Sequence, residues 1–397
     1  MKKTFHLPAL ICAGIAGAAI GVACLLGFYC AQFGGFDSYA AARKFSRVYN
    51  IIDRQYVGDA DMQQIADGAY TGMVYATGDK WSMYLNADEY KRMQEFSSNS
   101  YSGIGVTIKK DDASGLYAVA VVRKDTPASR AGVQIGDRLT SIGDTSLKGK
   151  NADQIHALFT AQKSDFQLGL LVADGSERRV TVSNEQIYTT PVSYELLPDG
   201  IGYVAINNFE SGAGDEIIAA VDSLQQQGAK GIVFDVRGNP GGLLKELLKA
   251  LDHILPEGEM FVSRDEDGTE TVKKSDASCV KLPMTVLIDE NTYSAAEYFA
   301  AVLSEYNWAK TVGAKTSGKS RSQITIDLGD STAVHISTEG YLTPKRVDLA
   351  EQGGLTPDVP AALSEDDENK LLSGQLAHDA DAQLQAAIST LKDEIGG

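Results

Sequence analysis

The sequence predicts a multidomain α+β protein, and three observations carry that prediction. The chain has 397 residues, too many for one small core, and at roughly 100–200 residues per domain it predicts two to three domains. The texture changes twice: a helical period runs to about residue 100, short strands with turns fill 101–185, and strand–helix alternation follows from about 188. The composition, 43% hydrophobic and 22% charged, is that of a globular chain.

Residues 7–29 carry no charge. As a helix they would reach about 34 Å, enough for a bilayer core of about 30 Å, and longer than the apolar part of a cleaved signal peptide. The first 35 residues are therefore expected to be a cytoplasmic stub and a single-pass transmembrane signal anchor. Lys2 and Lys3 favour a cytoplasmic N-terminus, with the acidic body outside the cell membrane. The net charge of −17 argues against a nucleic-acid partner, whose phosphates it would repel. Three of the four cysteines lie in or beside the apolar run, so Cys279 alone belongs to the body and no internal disulfide is expected there. No Cys-x-x-Cys or His-Glu-x-x-His spacing occurs, and neither a metal nor another cofactor is expected.

Over 36–100, helices are expected at 39–56, 61–75 and 89–96. The first places Phe45, Val48, Ile51 and Ile52 on one face. The region 101–185 reads as a small β-rich domain with a helix at 151–160. It opens on Gly103-Ile104-Gly105-Val106 and continues with TPASRAGVQIGDRLTSIGD over 126–144, which together resemble a PDZ domain. That resemblance implies that the turn's N–H groups cradle a peptide's C-terminal carboxylate while the peptide adds as a strand.

In the last domain, over 186–360, strands are expected at 200–207, 231–236 and 285–289, and helices at 213–227, 243–255 and 294–305. An acidic linker and a final amphipathic helix occupy 361–397. Three places there carry chemistry. Asp235-Val-Arg-Gly-Asn-Pro-Gly-Gly242 joins a buried strand to a helix, a geometry that aims N–H groups and a helix N-terminus at negative charge, although it can equally be only a turn. Ser294 opens the next strand–turn–helix. With Glu297 it matches a capping box, so by local pattern it reads first as a cap and only second as a nucleophile. Gly313-Ala-Lys-Thr-Ser-Gly318-Lys319-Ser320 satisfies a phosphate-loop spacing, but the following QITIDL is strand-like, and a phosphate loop needs a helix there. No Gly-x-Ser-x-Gly elbow occurs, and the histidines are scattered, which disfavours a His-based triad.

Taken together, GDKWSMYLNADEY, the PDZ signature, GIGYVAINNF, DVRGNPGGLLKELL, DENTYSAAEYFAAVL, VGAKTSGKSRSQ and GLTPDV resemble, in order and spacing, the carboxy-terminal processing proteases. These are tail-specific, PDZ-containing serine peptidases with a Ser–Lys dyad. The resemblance implies a crotonase-like (ClpP-like) ββα core and places Ser294 as nucleophile, Lys319 as base and Gln323 as the residue that orients the lysine. Asn291-Thr292-Tyr293 departs from the family's usual Gly-Ser-Ala, and Ser320 from its glycine after the lysine. A serine hydroxyl needs a neighbour to take its proton, and lysine does so only if burial lowers its pKa from about 10.4 toward 7–8. The oxyanion would be held by the N–H of Ala295 and that of Gly241, with Gly242 as the alternative. The implied partners are protein or peptide substrates with exposed C-termini. Residues 89–96 and the tail helix are candidate homodimer contacts. The competing reading is a catalytically inactive PDZ scaffold on a protease fold; a crotonase-like thioester enzyme is harder to reconcile with a PDZ domain and an anchor.

Overall fold

A computed structural model of the protein describes residues 7–32, 34–111, 114–172, 174–372 and 375–396. The chain forms two compact units, Met1–Asn86 and Ala87–Gly397.

In the first unit the apolar run is helical over Leu7–Gln32, and the basic stub lies outside the described residues. Among the described residues no helix is long and apolar enough to cross a membrane. The expected transmembrane anchor is therefore not supported. The next two helices, Phe36–Gln55 and Met62–Tyr75, bury no residue fully. They meet through Phe45 and Tyr70, whose rings stack at 5.8 Å. Asp61 caps the second by accepting from the Gln63 and Gln64 N–H groups.

The second unit begins with the helix Ala87–Ser97 and continues into the β-rich domain. A ribbon of Ser100–Gly103 against Glu185–Tyr188 joins the domain's entry to its exit. Its main sheet runs in the order Val106–Asp111, Leu116–Val122, Arg138–Ile142, Phe166–Leu171, Glu177–Val182, with antiparallel neighbours. Leu139, Ile142, Leu168 and Leu170 close its core with Ile155 from the helix Ala152–Thr160. Asn151 and Gln154 form a reciprocal capping box at the start of that helix. Val106–Asp111 is an edge strand, so one side of its backbone ladder faces outward.

The rest of the unit is built on a six-stranded sheet, in the order Val192–Leu197, Ile201–Ile206, Gly231–Asp235, Met284–Ile288, Lys310–Gly313, Val359–Pro360. Only the first pair is antiparallel. The two central strands are buried throughout, as a sheet covered on both faces requires. Their side chains alternate accordingly. Ile232, Phe234, Val286 and Ile288 pack with the helices Ala213–Gln226, Leu244–Ile254 and Ala295–Glu305. Val233 and Leu287 meet Leu384, Ala387 and Leu391 of the tail helix Ala382–Gly396.

A second sheet pairs Ala333–Leu342 with Arg321–Asp327 on one side and Gly258–Arg264 on the other, the latter forming a hairpin with Glu270–Ser275. This hairpin is absent from the sequence reading. Its turn signal is Asp265-Glu-Asp-Gly268, where the Asp265 carboxylate accepts from Asp267 and Thr269 N–H. The linker after 361 also differs from expectation, since Glu365–Leu372 is helical. Ser364 accepts the Asp367 N–H at 3.2 Å, and the acidic first turn sits at the positive end of the helix.

Candidate active site

Ser294 stands at the N-terminal end of Ala295–Glu305 with φ 59 and ψ −127. A positive φ on a non-glycine residue is strained, and such strain gathers at functional turns. The capping-box pattern is not realised: the serine makes no side-chain cap bond. Tyr341 lines the cleft beside it. Ala295, the first helical residue, presents one of the N–H groups a helix leaves unpaired.

The glycine loop is pressed against this serine. A Cβ on Gly241 (φ +92) would lie 2.8 Å from both Ser294 Cβ and Ala295 N, so no side chain fits there. Asn239, fully buried, shapes the loop: its Nδ2 donates to Ile206 O at 2.7 Å and its Oδ1 accepts the Gly241 N–H at 2.8 Å. The first-choice oxyanion donor is thus already engaged, and Gly242 is the next amide along. Three bonds lace the two loops together. Gly238 N–H donates to Asp289 at 2.9 Å, Thr292 Oγ1 to Val236 O at 2.9 Å, and Tyr293 N–H to Asn239 O at 3.2 Å.

Lys319 lies between Lys310–Gly313 and Arg321–Asp327. Its loop therefore enters a strand and lacks a phosphate loop's helix. Glu297, fully buried, holds it by accepting from Thr316 Oγ1, from Gly318 N–H at 2.8 Å and from Lys319 N–H at 2.9 Å. Tyr341 donates to Lys319 O, and burial pushes its phenol far above the ordinary range, so it stays protonated. Gln323 donates its amide N–H groups to Arg321 O and Ser337 Oγ, each at 2.9 Å. That leaves its carbonyl oxygen as the acceptor a lysine amine requires.

One cleft of 450 Å³ is lined by Ser294, Ala295, Gly241, Gly242, Lys319 and Gln323 together. His335 also lines it and shares a 2.9 Å hydrogen bond with Thr325. A larger cavity of 640 Å³ beside His156 and Asn99 contains none of the proposed reacting groups. The Gly103–Ile104–Gly105–Val106 turn belongs to neither. It stands at the head of the β-rich domain's edge strand, with the carbonyls of Ile104 and Gly105 accepting from Ala128 and Arg123 N–H. Gly105 has φ +87, and a Cβ there would fall 2.3 Å from Thr126.

Sequence reasoning missed Asn239, Glu297, Tyr341 and the buried Arg237. Asn239 carries a signal in Gly-Asn-Pro-Gly-Gly, and Glu297 was visible only as a cap. Tyr341 arrives from a strand 47 residues downstream of Ser294 and has no local signature. Arg237, two residues past its strand, is bound on one side by Asp235 at 2.6 Å and on the other by Asp381 at 2.8 Å and Gln383 at 2.9 Å, so the tail segment braces the glycine loop.

A strained serine at a helix start, a glycine turn against it and a lysine in the same cleft, in a chain that also carries a domain with an open strand edge, are parts from which a serine-type peptidase site can be built. Over its last domain the chain is similar to peptidase family S41. Residues 200–361 match the profile of that family, 119–173 that of the PDZ domain, and 34–89 that of the activating protease CtpB N-terminal domain. It is 29% identical to the carboxy-terminal processing protease CtpA of Bacillus subtilis (strain 168), over 81% of this chain and 69% of that protein. It is 30% identical to a probable CtpA-like serine protease of Staphylococcus aureus (strain N315), over 81% and 64%. The chain thus spans about two thirds of the length of the curated relatives it matches. A solved structure, the putative S41 protease from Bacteroides fragilis NCTC 9343, shares the fold with a TM-score of 0.56 at 18% identity, covering 88% of this chain and 97% of that one.

Proposed function

We propose that the protein is an endopeptidase that captures the C-terminal end of a protein substrate on its PDZ domain and cleaves it through an acyl-enzyme. The observation that carries this reading is Ser294, held in a strained conformation, without a capping bond, in the cleft that also contains Lys319. The neutral Lys319 amine, oriented by the Gln323 carbonyl oxygen, takes the Ser294 proton as Oγ attacks the scissile carbonyl. Ala295 N–H and the Gly241–Gly242 turn hold the oxyanion, Gly241 exchanging its bond to Asn239 for it. The ammonium then protonates the leaving amine, and water, deprotonated in the same way, releases the acyl group.

Substrate capture follows from the edge strand Val106–Asp111, which can take a peptide as an added strand, with the terminal carboxylate in the turn at 103–106. Amidating the C-terminus of an unfolded substrate that ends in apolar residues is expected to raise KM on the order of tenfold, with kcat little changed. Equal kinetics for the free and amidated forms would remove the PDZ turn from substrate recognition.

The proposed place of work is outside the cytoplasm. Cys279 alone among the cysteines lies in the body, which suits an oxidising compartment. Protease added to intact cells should digest the body; complete protection until lysis would reverse that assignment.

A further inference from the structure

Glu210 is an acid that the proposed mechanism leaves unused. It is 7% exposed and is the sole carboxylate among the residues lining the catalytic cleft. Its Oε2 is buried without a hydrogen-bond partner, and no salt bridge to it occurs among the described residues. Buried polar groups are nearly always satisfied, so an orphaned carboxylate oxygen at a cleft wall implies an absent partner.

The glycine pair sets its distance from the chemistry. Phe209 N–H donates to Gly241 O and Leu243 N–H to Phe209 O, each at 2.7 Å, which seats the 207–211 segment directly on the glycine loop. A Cβ on Gly241 would touch Ser294, and one on Gly242 would lie 2.8 Å from Glu210 N. The glutamate therefore flanks the scissile position across the width of two glycines. Burial pushes its carboxyl up to about 7, against a hydrogen bond from Ser97; the Glu246 carboxylate raises it further and Lys245 opposes that. An incoming cation would supply both the missing hydrogen bond and the missing counter-charge.

We infer that Glu210 forms a specificity subsite next to the scissile bond that selects a basic side chain, lysine or arginine, in the substrate. This rests on the peptidase reading above. Around it the wall is apolar, with Phe96, Leu243, Leu244 and Leu247 available to pack against the aliphatic stem of such a residue.

The test uses the full chain and two peptide series of otherwise constant sequence. Each position flanking the cleaved bond is scanned with lysine or with norleucine, which is similar in length and uncharged. At one position the parent enzyme should favour lysine by about 10–100-fold in kcat/KM, the range of a charge-assisted hydrogen bond. Glu210→Gln should abolish that preference while turning over the norleucine peptide as the parent does. Binding of the lysine peptide to Ser294→Ala, against Ser294→Ala with Glu210→Gln, reads the same contact without turnover. A parent enzyme that cleaves norleucine peptides but favours lysine nowhere overturns the subsite alone. So does a lysine preference that survives Glu210→Gln, or a Glu210→Gln loss shared equally by both series. Failure to cleave any peptide would instead sink the peptidase reading and the subsite with it.

Discussion

Replacing Lys319 with methionine is expected to lower kcat for an unfolded protein substrate by on the order of 10⁴-fold, and Ser294→Ala by at least as much. Methionine keeps the length and apolar stem of the lysine and removes only the amine. The loop that carries it is held by backbone bonds from Gly318 and Lys319 to Glu297, which the substitution does not touch. The loss should therefore report chemistry and not collapse of the site. The double variant should be little worse than either single one, because nucleophile and base act as a unit. His335→Ala is the necessary control, since His335 lines the same cleft. If His335→Ala removes activity and Lys319→Met retains it, the base has been misassigned.

Arg237→Ala should be the most destabilising single change outside the reacting groups, by about 3–5 kcal/mol in urea unfolding. The guanidinium is 2% exposed, and its partners Asp235 and Asp381 are 8% and 3% exposed. Truncation would strand both carboxylates away from water, and the Tyr203 hydroxyl bond to Asp235 could not compensate for two buried charges. The tail helix should loosen first, because Asp381 and Gln383 at its start would lose their anchor on the glycine loop. Faster proteolysis within 375–396 and reduced peptidase activity are expected together. A destabilisation below about 1 kcal/mol would show that the cluster contributes little, as many surface ion pairs do.

The two halves of the site differ in how legible they were. Ser294, Lys319 and the glycine loop each lie beside an apolar strand that ends in a turn, so pattern and resemblance place them on the right connections. Their partners are another matter. Glu297 follows Ser294 by three residues, which is also capping-box spacing, and only the approach of the loop at 316–319 turns its carboxylate away from the helix end. Tyr341 reaches the cleft from a strand of the second sheet, and two strands of that sheet, Gly258–Arg264 and Glu270–Ser275, have no counterpart in the sequence pattern. Its strands are short and partly exposed, with an alternation too brief to stand out from the charged turn between them.

By itself the sequence determined the order of the parts: an apolar run, helices, a PDZ domain, then a strand–helix core with a serine, a lysine and paired glycines at strand ends. Each of those follows from local periodicity and turn chemistry, which act over a few neighbouring residues. The tertiary structure alone decided which donors and acceptors meet. It engaged Gly241 with Asn239, tied the tail to Arg237, set Glu297 under the lysine loop and left Glu210 Oε2 without a hydrogen-bond partner in the cleft. Those pairings join residues from separate strands and loops, and their energies depend on burial, a property that exists only once the sheets have packed.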